Sequence, residues 1–495
     1  MTSLVRILTG VSLLGAALAV GACGDDDSDG GSSTGGATTT GGKAASGGAP
    51  SSGGVAPSGG KGGSTGGSTP TGGSAPTGGK AASGGSGGDA GGSDSGEGGD
   101  AGGDTGGFAG VPSEPEGAPL LERPVEDGYD CELSQPFTLF DLDWDGGDVA
   151  GGAAPWLFWS APDTEAVVGA VLTDGALGTP HTVHDPAAAN YTAPPSVARN
   201  GERITLVWPQ ADDMGVQRLM LAQVDADGEV VTAAHGLPGS AESGTLAIAT
   251  SGDGYGLVWT ERETETSSSL KFVRLDADSN PVGTPKVLAQ EEWLYAVDLV
   301  GLDDGFGVAY GHGYGTNDTV RYLGFDADGD AYRDSVPLAY SDVSLIRRGD
   351  RVLAAWTRGT GDPGESLAVT LRVGWFDDRG NPVGDTYDVQ APKLDEENVD
   401  PAWVEFGDDL GLAWSRGSVI YICAGCIPDN HVEFVVLDGD TLQRKSEVVS
   451  VENSETVGGL MASRLSASGD DVTVVSSVTY HTSAEGASSV VSCTR

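Results

Sequence analysis

The sequence predicts an all-β fold assembled from repeated four-stranded antiparallel sheets, and three observations predict it. First, Trp159, Trp208, Trp259, Tyr310, Trp356 and Trp414 close similar apolar stretches, such as GYGLVW at 254–259 and GFGVAY at 305–310. Their spacings are 49, 51, 51, 46 and 58 residues, a period that marks a repeat architecture. Second, apolar residues leading into Asp and then Gly or Asn recur as QVDADGEV (223–230), GFDADGDA (324–331), WFDDRGNPV (375–383) and VLDGDTL (436–442). That is the chemistry of a tight hairpin turn. Third, no helical periodicity of useful length runs through this region.

One unit shows how the strands divide. In residues 245–290, TLAIAT alternates and reads as a first strand, SGDG as a turn and YGLVWTE as a second strand. After the polar loop RETETSSS come a third strand, SLKFVRLD, the turn ADSN, and an outer strand, PVGTPKVLA. Such a unit, repeated, resembles a β-propeller blade, and propellers pack their sheets radially so that only short edges are exposed. The second strand is the most apolar in each unit, as expected of a strand sandwiched between neighbouring blades. Its aromatic is expected to fill the space between sheets.

The seventh unit, from LMASRLSA (460–467) through DVTVVSSVTY (471–480) to SVVSCTR (489–495), has three strands before the chain ends. Its fourth is expected from the other end of the domain. GYDCELSQP (128–136) resembles the fourth strand of the fifth unit, DTYDVQAP, and FTLFDLDW (137–144) then reads as the first strand of blade one. The prediction is a seven-bladed β-propeller over residues 119–495, closed by an N-terminal strand. The cysteines agree with this topology. Of five, Cys131 lies in the closing strand and Cys493 in the strand it would pair with. A disulfide there would close a loop of some 360 residues, stabilising by on the order of 4–5 kcal/mol in the chain-entropy account.

Residues 1–22 read as an export signal: Arg6, then the apolar run 7–20, then small residues before Cys23. The ending VGAC resembles the lipobox of bacterial lipoproteins, in which a peptidase cuts before a cysteine that carries lipid. The resemblance implies lipidation of Cys23 and attachment to a membrane. The alternative is an ordinary signal peptide with an incidental cysteine. Residues 23–118 are almost wholly Gly, Ser, Thr, Ala, Asp and Pro, too poor in apolar surface to offset chain entropy, so a disordered tether is expected. Its mean span would be on the order of 55 Å.

The net charge is −46, of which −39 falls on residues 119–495. A surface this negative repels nucleic acid and anionic headgroups, and both are set aside as partners. Solubility outside the cell explains the charge, and attraction of divalent cations or cationic partners is the alternative.

No constellation specifies catalysis. Cys423 and Cys426 form CAGC in a loop of blade six, where a structural disulfide is expected. Zinc could recruit His431 but lacks a fourth ligand, and redox work lacks its usual βαβ setting. Asp141, Asp143 and Asp145 copy the front of a calcium loop, as DADGDAYRD (326–334) also does, but both lack the closing glutamate. Turns are expected there, with calcium as the alternative, and no cofactor is assigned. The six histidines have no nucleophile beside them. The loops joining second to third strands vary while the strands do not, and binding usually sits on such loops. His312, Tyr314, Arg358, Arg416 and Tyr421 are the candidate ligand contacts. The expectation is a lipid-anchored protein of the cell envelope, at the outer membrane, whose head serves binding or scaffolding, with a protein or carbohydrate as the ligand class. An exported polysaccharide hydrolase or lyase with acids lining the central channel is the alternative.

Overall fold

The structure, a computed structural model, describes residues 118–122 and 128–495 apart from 144–146, 153, 162–163, 187–190, 213, 241–242, 314–318, 339–341, 361–367, 392–395, 419–430, 452–458 and 480–483. The signal sequence, Cys23, the tether up to residue 117, Tyr314, Tyr421, Cys423 and Cys426 lie outside them. Every regular element among the described residues is a strand.

Seven antiparallel sheets follow one another along the chain. The four strands of blade 3 run Ser243–Ser251, Gly254–Arg262, Ser268–Leu275 and Pro281–Glu291, from inner to outer. Blades 4, 5 and 6 repeat that order with second strands Gly305–His312, Arg351–Thr360 and Asp409–Ser418. Blades 1 and 2 each carry one extra short piece, at Ala176–Leu177 and Tyr191–Thr192. Blade 7 joins Gly459–Ser468, Asp471–Thr479 and Ala484–Thr494 to the N-terminal strand Asp130–Asp143. Cys131 and Cys493 are directly paired in that sheet, with Cα atoms 4.0 Å apart, and form a disulfide.

One expectation is corrected. FTLFDLDW is not the first strand of blade 1. Residues up to Asp143 stay on the closing strand, where Thr138, Leu139 and Phe140 pair with Ser488, Ala487 and Gly486 across an irregular register. The inner strand of blade 1 is Gly147–Ala150 instead. The cause is the length of the partner: Ala484–Thr494 offers 11 residues of ladder, and backbone groups take an available ladder before they break away.

The second-strand aromatics are the packing units between blades. Trp159, Trp208, Trp259, Tyr310, Trp356 and Trp414 are all at most 2% exposed. Trp208 packs with Phe158 and Val167 of blade 1, Trp259 with Leu219 and Leu221 of blade 2, and Tyr310 with Leu270 and Phe272 of blade 3. Trp356 and Trp414 repeat this against blades 4 and 5. Five of these rings therefore cover the third strand of the preceding blade, while Trp159 shares its cluster with Val475 on the second strand of blade 7. Burying one tryptophan this way contributes about 4–6 kcal/mol of transfer free energy, as an upper estimate. Blade 7 breaks the pattern, with Ser476 at the equivalent register.

The hairpin turns are built alike. Asp225, Asp276, Asp326, Asp377 and Asp438 each accept, through Oδ1, the backbone N–H two residues on. Four of them also accept the N–H four residues on, whereas Asp438 accepts that of Thr441. The residue between must take positive φ, and Gly228, Gly329 and Gly380 do so at 82°, 80° and 81°. DADGDAYRD is thus a turn whose leading carboxylate is occupied by its own backbone.

The N-terminal segment crosses the rim of three blades. Leu121 N–H donates to the Asp388 carbonyl at 3.0 Å, Asp388 N–H donates to the Pro119 carbonyl at 3.0 Å, and Leu121 is buried in the core shared by blades 5 and 6. Tyr129 then bridges to Ser446 of blade 6, and residue 130 begins the closing strand of blade 7.

Candidate functional site

Two regions could carry function: the ends of the second strands, where the variable loops begin, and the ring axis. His312, Arg358 and Arg416 each lie at or near the C-terminal end of a second strand, on blades 4, 5 and 6. They share a face of the ring, and each is tied to its own blade. His312 is half-buried, and its Nε2 accepts the Arg321 Nε–H at 2.8 Å. Burial, then the Arg321 charge, lowers its pKa, so the ring stays neutral and keeps the lone pair that this contact needs. The Arg358 carbonyl accepts the Thr370 hydroxyl at 3.3 Å. Arg416 donates to Glu433 at 2.8 Å, with His431 3.6 Å from the same oxygen and Gln390 donating to the other. Burial works to raise the Glu433 pKa, but His431 and Arg416 outweigh it and hold the carboxyl below its usual range. Gln390, Arg416 and Glu433 line a cavity of about 370 Å³ together with Leu120, Leu121 and Val389.

The axis holds residues that sequence reasoning missed. Asp148, Asp298 and Arg464 sit on the inner strands of blades 1, 4 and 7, opposite Phe158, Ala309 and Val475, which makes their registers equivalent. Arg464 Nε donates to Asp148 Oδ1 at 2.5 Å. Asp148 Oδ2 accepts the Val197 N–H of blade 2 at 2.9 Å, and Asp298 Oδ2 accepts the Leu345 N–H of blade 5 at 2.7 Å. Each aspartate thus stitches its blade to the next. Arg464 is enclosed by the ring yet keeps 37% of its side-chain surface, as a residue on the wall of an axial channel does. Burial opposes its charge, and Asp148, Asp298 and Asp400 more than offset that. Burial pushes the Asp298 carboxyl up to about 6, against the N–H groups of Leu345 and Leu299 and the charge of Arg464.

Arg464 fell on a predicted first strand, LMASRLSA, whereas Asp148 fell in a stretch read as a turn and Asp298 was not singled out. Among 72 acids a lone carboxylate is too common a signal to single out either aspartate. A second cavity of about 410 Å³ opens at the turns of blades 4 and 5, lined by Asp303, Asp304, Asp326, Tyr332, Arg347 and Asp378 among others. Asp303 is paired there with Arg347. Among the described residues no group of three or more His, Cys, Asp or Glu side chains could hold a metal ion. The backbone of Asp141 and Asp143 belongs to the closing strand, while Asp145 and Gly146 lie outside the described residues.

No family model and no curated protein matches the chain. Solved structures do. The β-propeller domain of the Trilobed protease from Pyrococcus furiosus is 12% identical, with a TM-score of 0.35, covering 59% of this chain and 80% of that one. A thermostable family-43 glycoside hydrolase is 11% identical, with a TM-score of 0.32, covering 61% and 90%. The WD40 domain of SCAP from fission yeast is 11% identical, with a TM-score of 0.37, covering 73% and 98%. These likenesses concern shape, and the chain itself is a seven-bladed β-propeller by its own strand pairings.

Proposed function

We propose that this chain is an exported lipoprotein, anchored through Cys23 in the cell envelope, whose propeller head binds a protein or carbohydrate through the face that carries the loops between second and third strands. The observation that favours binding over catalysis is the state of the axial acids. Asp148 spends its oxygens on Arg464 and on the Val197 N–H of blade 2, and Asp298 on the Leu345 N–H of blade 5 and the Leu299 N–H of its own strand. A general acid paired with a base or nucleophile needs oxygens aimed at substrate. Here they hold the ring together.

A polysaccharide hydrolase or lyase is the second reading, favoured by the Asp298 carboxyl, which burial on an inner strand holds near 6. One experiment separates the two. The purified chain is incubated with an array of envelope and plant polysaccharides, scoring retention on each glycan, new reducing ends and new unsaturated chain ends. Retention without either kind of new end supports the binding head, and product that disappears in Asp298→Asn establishes the enzyme. Anchoring is tested separately: labelled fatty acid is expected on the wild-type chain and absent from Cys23→Ala.

A further inference from the structure

The rim-crossing N-terminal segment and the disulfide share a geometry that concerns force. Among the described residues, a pull on the N-terminal segment first meets the ring at Pro119. It meets three attachments in order. The first is the pair of backbone hydrogen bonds on Asp388, with Leu121 in the core between blades 5 and 6. The second is Tyr129. Its N–H donates to the Lys445 carbonyl, its hydroxyl donates to Asp409 at 2.9 Å, and its ring packs on Phe406 at 5.3 Å. Arg495, at the other end of the chain, donates to the same hydroxyl and to Asp409. The third is Cys131.

The closing strand is antiparallel to Ala484–Thr494, and its ladder begins with Asp130 opposite Thr494 and Cys131 opposite Cys493. A pull from the N-terminal side loads that ladder at this end, pair by pair, which is the unzipping direction. Hydrogen bonds loaded one at a time give way in sequence, whereas a covalent bond at the second pair stops the sequence before it starts. The disulfide is placed where peeling would begin and not at the far end near Asp143.

We infer that the Cys131–Cys493 bond is a mechanical stop. It diverts force arriving through the N-terminal segment across to the last strand, so the closing strand cannot be stripped from blade 7 while the ring is under tension. The inference requires only that force arrives from the N-terminal side of Pro119, so it stands whether or not Cys23 carries lipid.

Optical-tweezers extension of the full mature chain tests it. One handle is placed at the N-terminal end of the tether and the other at Asp253, in an exposed turn of blade 3. In the oxidised protein, the first low-force release is expected to stop at Cys131, freeing residues 118–130, or about 45 Å of contour. Adding a phosphine reductant to the same held molecule is expected to let release run on to Asp143, about 90 Å in all. The Cys131→Ser/Cys493→Ser double variant should give the longer release without reductant. In Tyr129→Ala the release should still stop at Cys131, at lower force. Equal release lengths before and after reduction, short or long, would overturn the proposal, because the ladder alone would then decide whether the strand holds.

Discussion

Asp298 shows how one side chain can serve the fold and still answer to pH. Its carboxyl accepts two backbone N–H groups, yet burial raises its pKa to about 6. The folded ring therefore takes up a proton as pH falls through 6, while the unfolded chain waits until about 4. The contribution of this group to stability rises as pH drops across that window, the reverse of the usual aspartate. In urea titrations, the stability of wild type relative to Asp298→Asn is expected to increase between pH 7 and pH 4.8. A difference that is flat or falls with acidification would refute the assignment. Asp148, at the equivalent register, differs in its partner, since Arg464 donates to it directly. None of this was readable in the chain, since a charge on a short alternating strand looks the same whether it faces solvent or an enclosed axis.

At the scale of the element, the repeat was legible because its signals are local. An apolar second strand ending in an aromatic, and an Asp turn four or five residues long, were specified by neighbouring residues, and the structure keeps both. FTLFDLDW was misread for the opposite reason. Its alternation fits any half-buried strand, and only the length of a partner more than 340 residues away decided where it pairs. The aromatic sites also differ from one another in a way that can be measured. Trp259→Ala removes a ring of zero exposure and should cost about 3–5 kcal/mol in urea unfolding. Ser476→Ala, at the same register in blade 7, should cost little. Its Oγ is buried with no hydrogen-bond partner among the described residues, so the hydroxyl brings no gain that alanine would lose.

For the whole molecule, ring closure depends on both ends of the domain meeting in one sheet. Four cysteines and a three-stranded last unit were enough to predict that meeting, and the Cys131–Cys493 bond realises it. Replacing both cysteines by serine is expected to cost about 4–5 kcal/mol of equilibrium stability, because 362 residues of unfolded chain are then no longer held in a loop. Calorimetry of the double variant should show a lower transition midpoint, and an unchanged midpoint would mean that the strand ladder alone secures the ring. The common placement of three second-strand ends was legible from the repeat. His312, Arg358 and Arg416 do share one side, but their engagement with Arg321, Thr370 and Glu433 depends on strands that the sequence alone could not bring together.

The composite seventh blade also bears on how such a ring can change over evolutionary time. Because its strands come from opposite ends of the propeller domain, duplication or loss at either edge of that domain would leave a half-made sheet with no complement. Copy number can shift only by inserting or deleting a complete period somewhere between the two cysteines, which makes the outermost strands the invariant frame and the middle of the chain the place where the family of shapes can grow.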